Sequence, residues 1–132
     1  MPNVNITQIA ASDVAVAENR ETFSECVTRY GSSAQIMMTL EEVGELVQAI
    51  AKTQRSMKGS GDIREAVDHL SEEIADVKIM LAQLSMIFDN DLEVARYIHE
   101  KSARQQQQLD ETRKPSEREV LGEDWQLAIE QD

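Results

Sequence analysis

A chain of 132 residues fits one domain large enough for a real core. Apolar residues make up 41% but aromatics only 4%, so aliphatic side chains and Met must do the packing. Five Gly and two Pro leave few breaks, which disfavours a fold of many short strands, and the net charge of −12 excludes a basic surface for duplex nucleic acid. The single Cys26 excludes an internal disulfide and suits a reducing compartment. Met1 to Val16 lacks a basic start followed by an apolar run. No stretch approaches the roughly 18 apolar residues that span a bilayer, so a soluble, cytoplasmic protein with no membrane partner is expected.

In chain order, residues 1–17 have weak periodicity and read as an N-terminal arm. Asn19 to Tyr30 reads as a short first helix with Phe23, Val27 and Tyr30 on one side, ended by Gly31. A long helix follows from about Ser33 to Met57, with the main apolar stripe Ile36, Leu40, Val43, Val47 and Ile50. Lys58-Gly59-Ser60-Gly61 is the clearest loop. A third helix runs from about Asp62 to Phe88 on the stripe Val67, Leu70, Ile74, Val77, Leu81, Leu84 and Phe88. Asp89-Asn90-Asp91 punctuates it, and Leu92 to about Gln108 forms a fourth, with Val94, Tyr97, Ile98 and later Leu109 apolar. After Pro115, Ser116-x-x-Glu119 reads as a capping box for a short final helix carrying Leu121, Trp125 and Ile129. The expected fold is all-α: a four-helix-bundle-like core over residues 18–110, with a C-terminal helical tail over residues 111–132.

Two acidic motifs stand out: Glu41-Glu42-Val43-Gly44-Glu45 and Glu73-Ile74-Ala75-Asp76. Residues three apart on a helix project from nearly the same side, so Glu42 with Glu45, and Glu73 with Asp76, form two directed pairs. Each pair interrupts a second, lesser apolar seam: Met38 and Ala49 flank the first, His69, Met80 and Ile87 the second. If the two helices pack antiparallel, four carboxylates converge. Charges among apolar neighbours are costly unless paired or metal-bound, and an all-oxygen donor set suits Mg²⁺ or Mn²⁺ over zinc or copper. Any single Glu of this acid-rich chain is more often a solvated surface group, but two such pairs on consecutive helices are not easily so explained. Glu41 points elsewhere on its turn, and His69 reads as a half-exposed bundle histidine. A di-iron bundle needs Glu-x-x-His pairs, whereas His69 and His99 follow Ala66 and Arg96 at that spacing.

These motifs resemble the paired E-E-x-x-E and E-x-x-D motifs of MazG-like nucleoside triphosphate pyrophosphohydrolases, within the all-α NTP pyrophosphatase superfamily. The resemblance takes in Tyr30-Gly31, Ala34-Gln35, Lys52, Arg55, Ile79-Met80-Leu81-x-Gln83-Leu84 and Lys101-x-x-Arg104, covering roughly Tyr30 to Leu109. It implies that Glu42, Glu45, Glu73 and Asp76 bind Mg²⁺, with Mn²⁺ a possible substitute. It also implies cleavage of (d)NTPs between the α- and β-phosphates, giving a monophosphate and pyrophosphate. Glu41, Glu42 and Glu45 are each candidate catalytic proton acceptors, and the sequence does not choose among them. Lys52, Arg55, Lys101 and Arg104 are the cations implied for the anionic substrate, and Gln35, Met38 and Met80 are candidates for its base. Relatives form dimers or dimers of dimers, which implies a homo-oligomer, most readily a tetramer. A dUTP- or dCTP-selective pyrophosphatase of the same superfamily and a non-catalytic helical interaction protein are the competing readings.

Overall fold

The computed structural model describes residues 9–113; the capping box at Ser116 and the segment with Trp125 lie outside them. Among the described residues there are five helices and no strand: α1 (Ala11–Glu18), α2 (Arg20–Tyr30), α3 (Ser32–Met57), α4 (Ile63–Phe88) and α5 (Asp91–Thr112). The all-α class expected from the sequence is the class observed. The helix α1 falls within the segment read as an arm, where the periodicity gave no sign of it.

The breaks between helices have local causes. Gly31 turns α2 into α3 at φ 91°, a left-handed conformation that glycine adopts without penalty. Asp62 caps α4 by accepting a hydrogen bond from the Arg64 backbone N–H at 2.9 Å. Asp89, at φ 48°, ends the same helix.

The chain forms two compact units, divided at Asp91. In the first, α3 and α4 make the principal pairing and α2 packs on both. Gln35 bonds to Gln83 and Thr53 to the Ala66 carbonyl, so α3 and α4 run antiparallel with Glu42 opposite the Asp76–Val77 turn. Phe23 of α2 is buried, while Tyr30, expected beside it, is exposed. Lys78 of α4 ties down α1, donating to Ser12 Oγ at 2.7 Å and Asp13 Oδ1 at 2.9 Å. The second unit contains α5, which buries none of its own residues.

α3 meets α4 through the lesser seam that carries the acidic pairs. The main stripe does not form the seam: Leu40, Val43, Val47 and Ile50 are exposed, Val47 at 60%. The seam is instead Gln35, Thr39, Ala49, Thr53 and Ser56 against Ala66, Glu73, Val77, Met80 and Gln83. Most of these seam residues lie one residue step, about 100°, round each helix from its main apolar stripe. Ala49 and Ala66, 2% and 1% exposed, have side chains short enough for the two backbones to come close. Thr53 satisfies its hydroxyl by donating to the Ala49 and Ala66 carbonyls.

This close approach predicts sensitivity to added volume. Ala66→Leu should cost about 1–3 kcal/mol in urea unfolding, whereas Gln106→Ala on exposed α5 should stay within about 0.5 kcal/mol.

Candidate metal centre

This facing brings the acidic residues inward. Glu73 sits on the α4 side of the seam and is only 5% exposed; Glu42 on α3 and Asp76 on α4 are half-buried beside it. One carboxylate oxygen from each of Glu42, Glu73 and Asp76 lies within 4.8 Å of the others. Glu45, one turn beyond Glu42, is exposed and stands outside this trio. Its charge still reaches both Glu42 and Glu73. The expected fourfold convergence is therefore a tight trio with a fourth carboxylate at its edge.

The trio is electrostatically unfavourable by itself. Burial pushes the Glu42 carboxyl above the ordinary carboxylate range, and the charges of Asp76, Glu45 and Glu73 push it further. Burial also raises Glu73, as do Glu45, Asp76 and Glu72, while His69 pulls it back. His69 Nε2 stands 3.7 Å from Glu73 Oε1. Glu42 Oε2 and Glu73 Oε2 are sealed from solvent with no hydrogen-bond partner. Leaving an ionised oxygen sealed and unpaired costs far more than leaving it in water. A divalent cation among the three carboxylates would relieve both the mutual repulsion and the two orphaned oxygens. An all-carboxylate set matches Mg²⁺ or Mn²⁺, which take oxygen donors and keep several waters.

The remaining sequence-derived residues occupy distinct places. Glu41 is exposed on the outer side of its turn. Lys52 and Arg55 are exposed on the last turns of α3, and neither has a carboxylate within ion-pair distance among the described residues. Met80 is buried in the seam, Met38 is 41% exposed off it, and Gln35 is buried against Gln83. In the second unit, Lys101 and Arg104 line a shallow surface groove with Gln105 and Gln108. The sequence reading gave no role to Gln83. Its signal was available: a polar residue seven positions after Asp76, on the line of the second seam.

A family model described as the MazG nucleotide pyrophosphohydrolase domain matches residues 31–109, well over half of the chain. No curated protein and no solved structure gives a significant match.

The buried charge carries a pH signature. A carboxyl whose folded pKa is raised holds its proton more tightly folded than unfolded. Stability is then greatest below the ordinary value of 4.5 and falls as pH climbs through the raised value. Glu73→Gln keeps the shape and cannot ionise. In chelator at pH 7 it should melt a few degrees above wild type, and the gap should close on acidification towards 4.5. A wild-type Tm above that of the variant at pH 7 without divalent ions would contradict the unrelieved charge.

Proposed function

Because the chain belongs to the MazG nucleotide pyrophosphohydrolase family, a family of hydrolases acting on phosphoanhydride bonds, we propose that it is a Mg²⁺-dependent enzyme cleaving nucleoside and deoxynucleoside triphosphates between the α- and β-phosphates. Water is consumed, and the products are a monophosphate, pyrophosphate and a proton. The observation that carries this reading is the pair of sealed, unpartnered oxygens of Glu42 and Glu73 beside Asp76.

Glu42, Glu73 and Asp76 are the residues that would hold the ion. When bound, it neutralises charge on the triphosphate and lowers the pKa of a coordinated water. Glu45, exposed at the edge of the trio, is better placed than outward-facing Glu41 to take a proton there. Lys52 lies seven residues from Glu45 on the same helical line, about 10 Å along the axis. Lys52 and Arg55 thus mark the end of the seam towards which the leaving pyrophosphate would extend. Lys101 and Arg104, an i, i+3 pair without an ion-pair partner among the described residues, are a second pair of cations available to phosphate.

The chain also has the surface of a homo-oligomer, a dimer or a tetramer built as a dimer of dimers. Leu40, Val43, Val47 and Ile50 on α3, and Val67, Ile74, Leu81 and Phe88 on α4, are large, exposed and spaced at three, four or seven residues. Such stripes on a chain with so small a core point to a partner surface. A cytoplasmic setting fits a lone, unpaired Cys26 and the lack of any membrane-length apolar helix among the described residues.

Pyrophosphate release from NTPs, followed by ³¹P NMR, should require Mg²⁺ or Mn²⁺. Asp76→Ala should lower it by about a hundredfold or more while leaving helical circular dichroism intact; unchanged turnover would remove the trio from the reaction. Size-exclusion chromatography with light scattering should give a dimer or tetramer, and Val47→Asp should shift it towards monomer. A monomeric wild type would overturn the assembly.

A further inference from the structure

Gln35 of α3 and Gln83 of α4 are both buried, and Gln35 Nε2 donates to Gln83 Oε1 at 2.7 Å. Two amides in a helix seam are a costly way to fill space that apolar side chains would fill without losing hydration. Their mutual bond leaves Gln35 Oε1 and Gln83 Nε2 without a partner among the described residues. The buried pair therefore carries one spare acceptor and one spare donor side by side.

Its position gives this a use. Gln35 precedes Glu42 by seven residues and Gln83 follows Asp76 by seven, so both lie two turns, about 10 Å, from the trio on the same end of the seam. Lys52 and Arg55 lie towards the opposite end. A nucleoside spans a comparable length from its α-phosphate to the hydrogen-bonding edge of its base. Resting on the hydrolase reading above, we propose that the Gln35–Gln83 pair reads the Watson–Crick edge of the substrate's nucleobase. If both amides turn over together, their mutual bond survives with donor and acceptor exchanged, and the outward order of donor and acceptor reverses. Keto and amino pyrimidines present opposite orders of donor and acceptor. The pair matches either by turning, so the site accepts both.

The test compares kcat/KM of the full chain with Mg²⁺ for UTP, CTP and ribose 5-triphosphate, which lacks a base. Wild type should handle UTP and CTP within about tenfold of each other, and Gln83→Leu should lower both by about tenfold or more while changing ribose 5-triphosphate less than about twofold. Gln35→Met should do the same, and serves if Gln83→Leu does not fold. Equal losses on all three substrates would make the pair structural only, and unchanged values would remove it from recognition. A wild-type preference beyond a hundredfold would overturn the two-way reading. No pyrophosphate from any substrate with wild type would instead overturn the hydrolase reading on which this rests.

Discussion

Three carboxylates held within 4.8 Å of one another, two of them with oxygens shut off from water, set the terms for the rest of the first unit. Helix pairing normally hides apolar groups; here the principal pairing among the described residues hides Glu73. The arrangement persists because the surrounding seam is over-determined. Ala49 and Ala66 bring the backbones together, Thr53 bonds across them, and the Gln35–Gln83 amides pin the other end. The acids are thus held between two fixed points, and the fold carries an unfavourable local charge that a bound cation would relieve.

That use of the inner seam explains what the outer surface looks like. A seam built from Ala, Thr, Ser, Gln and Glu buries little apolar area, so it contributes little hydrophobic stabilisation by itself. The large aliphatic residues that would ordinarily supply it, Val47 and Leu81 among them, lie on the open sides of α3 and α4. In the reading proposed here, catalysis and assembly draw on different faces of the same two helices. The inner face supplies polar groups and the outer face supplies apolar area, so neither has to compromise for the other.

Much of this was legible beforehand. Helix boundaries for α3 and α4 follow from Gly31, from the Gly-Ser-Gly loop and from the Asp62 cap, all of which act through the backbone within a few residues. The acidic pairs were visible as i, i+3 spacings that interrupt a lesser apolar line, and that line proved to be the buried one. What the sequence left open was which neighbour covers each face. Ile36, Leu40, Val43, Val47 and Ile50 make the stronger stripe, and a stripe records only that a face avoids water, not which neighbour covers it. Gln83 entered only as part of the resemblance and was given no role, because a glutamine on a helix is ordinarily solvated; only its facing Gln35 gives it meaning.

By itself the sequence determined that the chain is helical, where its long helices begin and end, and which carboxylates share a side of each. Those are consequences of local geometry, fixed within a turn or two. Only the tertiary structure decided that α3 and α4 meet through their small and polar residues, that Glu45 stands at the rim while Glu42, Glu73 and Asp76 close up, and that two amides clasp two turns away. Such outcomes depend on how near two backbones can approach, a steric property of the pair that neither helix carries alone.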